Sequence, residues 1–112
     1  MILTMIVPKA EVEKVTVVEI NSNVISLVEK YIRDYLGSNS KKLEIINSNI
    51  YDFVPKHKYN TVFFDIWGNY SSDTYEETKI LHRKFSKYLD RTKPHWIDNW
   101  MRWYMRAKYF NK

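Results

Sequence analysis

Three short runs of aliphatic and β-branched residues, each leading into an acid or an amide, limit what this chain can fold into. Residues 14–20 read KVTVVEI, residues 43–46 read LEII and run into Asn47-Ser48-Asn49, and residues 61–67 read TVFFDIW. Runs of this length bounded by polar clusters read as strands, and strands apolar on both sides belong in a covered, parallel sheet. Parallel strands cannot be joined by a tight turn, so the segments between them must carry crossovers.

The first crossover is legible. After Glu19 and Ile20, Asn21 or Ser22 caps a helix in which Val24, Val28, Tyr31 and Tyr35 recur on one side with Ile25, Ile32 and Leu36 beside them. Gly37 ends it. Residues 50–54 read as a helical turn stopped by Pro55. Behind the third strand Ser71 or Ser72 and Asp73 offer a cap, with Glu76 and Glu77 following, for a helix running to about residue 89. Pro94 interrupts the chain before a last segment, 94–110, expected to be an amphipathic helix: Trp96, Trp100, Trp103, Ala107 and Phe110 recur at steps of four, three, four and three. Ile2, Leu3, Ile6 and Val7 read as the last turns of a helix stopped by Pro8 or as a short strand, with the helix favoured. The fold class is α/β, a small parallel sheet with helices on both faces, in a single domain spanning the 112 residues.

Composition narrows the chemistry. There is no cysteine, which removes disulfides and thiolate catalysis, and His57, His82 and His95 lack metal-ligand spacing and read as surface or packing residues. The opening MILTMIV is too short to span a membrane and has neither flank of a secretory signal, so a soluble cytoplasmic protein without a membrane partner is expected. A net charge of +5 favours anionic partners. The C-terminal run KPHWIDNWMRWYMRAKYFNK mixes rings with Arg102, Arg106 and Lys108, the ingredients of a nucleic-acid surface, although tryptophans at helical spacing more often form a packed face or an interface.

Ligands of open parallel sheets bind outside the carboxyl ends of the strands. Those ends carry Glu19-Ile20, Asn49-Ile50 and Asp65. Glu19 can accept from both hydroxyls of a ribose, Asn49 from an adenine amino group, and Ile20 and Ile50 can sandwich the base. The bland alternatives are equally concrete: Glu19 as a residue approaching the helix, Asn49 bonding its own backbone, and Asp65 as a turn acid beside Gly68 and Asn69.

The run VTVVEINSNVISLVEKYI, with LEIINSNIYDFV and YNTVFFDIW, resembles the central part of class I S-adenosylmethionine-dependent methyltransferases, closest to the spermidine-synthase-like branch. The resemblance covers roughly residues 5 to 70. It implies S-adenosylmethionine as cofactor, Glu19 on the ribose, Asn49 near the adenine and Asp65 at the catalytic, methyl-donor or substrate side of the cleft. The family's Gly-Asp-Ala motif is replaced by Ser48-Asn49-Ile50, which loses the charge. Its first strand and glycine-rich loop would precede residue 5, so the resemblance implies a partial Rossmann-like domain truncated before that loop, and catalysis by the single chain is in question. The family's first strand lies between the segments that are here 14–20 and 60–67. Those strands must therefore either pair directly or find another copy, and a homodimer or higher oligomer is expected. A non-enzymatic module that binds a protein or nucleic acid through the basic, aromatic C-terminal half is the competing reading.

Overall fold

The computed structural model describes residues 5–65 and 71–99. The chain is α/β and divides into two compact units, Met1–Val54 and Pro55–Lys112. Each holds one pair of parallel strands joined through a helix, so the expected single sheet is two separate two-stranded sheets among the described residues.

In the first unit β1 (Val15–Glu19) pairs in parallel with β2 (Leu43–Asn47), with Val15 opposite Leu43 and Glu19 opposite Asn47. Between them runs α1 (Ser22–Leu36), as its pattern requires. The Asn21 side chain accepts from the amides of Asn23 (2.9 Å) and Val24 (3.4 Å), satisfying donors that the first helical turn leaves open. At the other end Gly37 adopts φ 57° and ψ −123°, and its N–H still bonds the Arg33 carbonyl. The chain then passes through the 3-10 segment Gly37–Lys42, which the Arg33 guanidinium holds through the carbonyls of Ser40 (3.0 Å) and Leu43 (3.1 Å).

The core of this unit is Val7, Ile32, Leu36 and Leu43, with Val15, Val17, Val28 and Ile45 packed against it. Side chains alternate across a strand, so Val15 and Val17 share one face of the sheet with Leu43 and Ile45, and that face receives the helix. The helix therefore buries Ile32 and Leu36, while Tyr31 (74% exposed) and Tyr35 stand in solvent together with Leu27. The expected stripe is present, but its inner edge does the packing: aliphatic side chains interdigitate with the β-branched face, and tyrosines keep their hydroxyls wet. Met5 and Ile6 are helical, Val7 and Pro8 turn, and Ile2 and Leu3 of the expected helix lie outside the described residues; Lys42 ties this segment to the 3-10 segment by donating to the carbonyls of Val7 (3.4 Å) and Lys9 (3.1 Å).

In the second unit β3 (Thr61–Phe64) pairs in parallel with β4 (Trp96–Asn99). This corrects the start of the helix expected over 94–110: Trp96 begins a strand, and the remainder of that segment, 100–110, lies outside the described residues, as do residues 66–70 and 111–112. Parallel pairing begins earlier, where Tyr59 bridges Leu89 through Tyr59 N–H to the Tyr88 carbonyl (2.7 Å) and Asp90 N–H to the Tyr59 carbonyl (2.8 Å). The crossover helix α2 (Ser72–Ser86) is capped by the Ser71 hydroxyl, which accepts from the Thr74 amide at 3.0 Å. It buries Tyr75, Thr78, Leu81 and Phe85, and the Phe64 ring meets Phe85 edge-on with centroids 5.5 Å apart. In each unit one helix covers one sheet face among the described residues. Phe63 and Trp96, on the face away from Phe64, stay about half exposed and stack on each other at 5.9 Å.

Local geometry makes two of these features testable. A methyl group at Gly37 would meet nothing within 4 Å, so any cost of Gly37→Ala is torsional rather than steric. The variant should lose about 1–3 kcal/mol in urea unfolding, and a D-alanine at the same position should recover it. In the loop before β4, the Asp90 carboxylate accepts from the Thr92 hydroxyl (2.5 Å) and amide (3.1 Å). These bonds, with Lys93 and Lys58 assisting, hold its pKa below the ordinary 3.8. A depressed folded pKa adds stability that is complete above the unfolded value and is lost as pH falls through the folded one. Asp90→Asn should therefore lower the Tm slightly at neutral pH, match the native chain below the folded pKa, and so flatten part of the acid-side decline below about pH 4.

Candidate functional site at the strand ends

Because β1 and β2 are parallel, both deliver their carboxyl ends to one edge of the sheet. Glu19 and Ile20 leave β1 there, and Asn47, Ser48, Asn49 and Ile50 leave β2 beside them. Four of the expected binding residues, Glu19, Ile20, Asn49 and Ile50, thus share this edge. Asp65, the fifth, follows β3 in the second unit, where its side chain is exposed.

The edge is held by a residue to which the sequence assigned no role of its own. The Asn47 side-chain amide donates to the carbonyls of Glu19 (3.0 Å) and Ile20 (2.9 Å), and the Ser48 amide also reaches the Glu19 carbonyl (3.1 Å). This prolongs the ladder by one residue past the last regular pair and fixes the backbone from which the Glu19 and Ile20 side chains project. The only advance signal was an amide at the end of an apolar run, a pattern shared with ordinary turns.

Within that frame the Glu19 carboxylate accepts from the Asn21 amide at 3.1 Å through one oxygen. A carboxylate offers about four lone-pair sites, so the group retains acceptor capacity for a pair of hydroxyls. Asn49 takes the turn role weighed for it: its side-chain oxygen accepts from the Tyr51 amide at 3.0 Å, and its carbonyl closes the turn through the amides of Asp52 and Phe53. The amide NH₂ of Asn49 takes no part in that turn, so Asn49 can address a base by donating as well as by accepting through its second lone pair. Ile20 is 66% exposed directly after the acid, a large apolar side chain presented at a polar edge.

The corresponding edge of the second sheet has a different character. Phe64 and Asn99 are register partners at the ends of β3 and β4. Asn99 is 3% exposed, and its side-chain oxygen lies 2.9 Å from His82 Nε2, while the His82 ring packs at 5.5 Å from Phe64. If the Asn99 amide is oriented this way, His82 donates from Nε2. His82 is therefore a packing histidine with a specific polar partner, and Asn99 is satisfied although buried. Among the described residues no group of three or more acidic or histidine side chains could hold a metal ion, and no helix is long and apolar enough to cross a membrane. The basic residues Arg102, Arg106 and Lys108 lie outside the described residues.

No family model matches the chain, and comparisons with curated proteins and with solved structures find no match.

The role of Asn47 is open to measurement. Asn47→Ala removes two hydrogen bonds from an exposed position where water can replace them, so the stability loss should stay near 1 kcal/mol. Amide exchange should meanwhile accelerate at Ser48 and Asn21, at the edge, and remain unchanged at Val17 in the middle of β1.

Proposed function

We propose that the carboxyl edge of the first sheet binds the nucleoside part of S-adenosylmethionine, and that the chain is a methyltransferase-like protein. The observation that carries this reading is the placement of an acid with spare acceptors, Glu19, and an exposed apolar side chain, Ile20, beside Asn49 and Ile50 at one strand edge. Ribose hydroxyls donate to the carboxylate, the adenine ring lies against the isoleucines, and Asn49 meets the base edge.

The strand pairing supports the same reading. The resemblance places a further strand between the segments that became β1 and β3, and the described residues contain two parallel pairs, neither of which joins β1 to β3. Two-stranded sheets gain stability when strands are added. Self-association as a homodimer or higher oligomer through strand edges therefore belongs to the proposal. Methyl or aminopropyl transfer is chiefly the alignment of donor and acceptor, and the resemblance assigns the catalytic role in it to Asp65, the residue that follows β3.

The test is calorimetric titration of S-adenosylmethionine into the purified chain and into Glu19→Ala, with sedimentation to give the assembly state of each. Micromolar binding by the native chain, weakened at least tenfold in a variant with unchanged circular dichroism, is the expected result. Absence of heat with folded protein, or binding that Glu19→Ala leaves intact, overturns the assignment.

A further inference from the structure

The second unit carries a feature that the cofactor reading does not use. A shallow depression of about 610 Å³ runs along α2 and the turn after it, lined by Lys79, His82, Arg83, Ser86, Lys87 and Arg91. Lys79, Arg83 and Lys87 follow one another at four-residue steps, which sets them in a row about 6 Å apart along the helix axis. Arg91 returns to the end of the row, donating to the Ser86 carbonyl (3.1 Å) and hydroxyl (2.7 Å). These bonds also answer a carbonyl that the last helical turn leaves open, so the guanidinium is fixed in place.

Charge along this row is weakly compensated. Lys79 pairs with Glu76 at 3.1 Å, but both side chains are more than a third exposed, and such a pair holds little energy against a competing anion. Among the described residues no carboxylate lies within ion-pair distance of Arg83, Lys87 or Arg91. The Lys87 ammonium lies over the Tyr88 ring at 5.5 Å, which keeps it against the surface without neutralising it.

We propose that this groove binds the sugar–phosphate backbone of a single nucleic-acid strand. A row of cations spanning about 12 Å of helix exceeds what one phosphate ion occupies. Its regular repeat suits a polymer that carries one negative charge per unit, whereas an acidic peptide offers that only where its sequence supplies it. One row on one helix follows one backbone, whereas a duplex presents two. Phosphates take bidentate hydrogen bonds from Arg83 and point-charge contacts from Lys79 and Lys87. The site lies wholly within residues 79–91 and does not depend on the cofactor assignment.

The experiment is fluorescence anisotropy of the full chain with a labelled 12-nucleotide RNA of mixed sequence, at salt concentrations from 50 to 200 mM. Parallel arms use the duplex of the same length and phosphatidylserine vesicles. The double variant Arg83→Ala with Lys87→Ala should weaken single-strand binding by tenfold or more and lower the salt slope by about 1.4, the share of two phosphate contacts. Lys30→Ala with Lys41→Ala, an equal loss of charge on exposed positions of the first unit, should change affinity less than twofold. In the native chain, bound RNA should protect Lys79 and Lys87 from acetylation, a readout independent of any variant. Equal weakening by both double variants, absence of RNA binding, unprotected lysines, or tighter binding to duplex or vesicles would each overturn the proposal.

Discussion

Two parallel strands cannot be closed by a hairpin, and most of this structure answers that constraint. Each pair needs a crossover long enough to bring the chain back to its starting end, and in each unit that crossover is a fifteen-residue helix. The helix must bury one face, and the strand pair has one to offer, so crossover and core arise together. The first unit meets this with Ile32 and Leu36 against Val15, Val17, Leu43 and Ile45; the second meets it with Leu81 and Phe85 on the side of Phe64. Both strands of a pair then end at the same edge, which puts Glu19 and Ile20 beside Asn49 and Ile50 although some thirty residues separate them in sequence.

Much of this was legible because it is local. Asn21 and Gly37 bracket α1, Ser71 opens α2, and each works through its own backbone neighbourhood, so residue identity carries the information. The three apolar runs became strands for the same reason. Over residues 94–110 the period alone misleads. Trp96, Trp100 and Trp103 fit a helical repeat, but Trp96 through Asn99 are recruited by Thr61–Phe64, and four residues with Asp98 and Asn99 among them are too short and too polar to announce a strand. Long-range pairing outweighed local periodicity.

The site was partly legible on the same terms. That acids and amides follow the strands is written in the sequence, and the parallel topology does the rest. Asn47 could not be singled out, since its importance lies in two carbonyls of another strand. Nor could His82 and Asn99, seventeen residues apart, be matched before β4 was known to exist. The basic row at Lys79, Arg83 and Lys87 went unremarked in the sequence, because four-residue spacing alone does not tell an exposed row from the buried side of the helix and only the fold separates the two.

The division into units also bears on how the chain is made. All of the pairing that builds the first sheet, and the Lys42 anchor on Val7 and Lys9, closes within residues 1–54. A ribosome adding about 5–20 residues per second will have released that half into free space while the second is still being assembled. Its β-strands and helix thus have the chance to settle before Trp96 exists to compete for a partner, and order of synthesis protects the correct pairing of the strands.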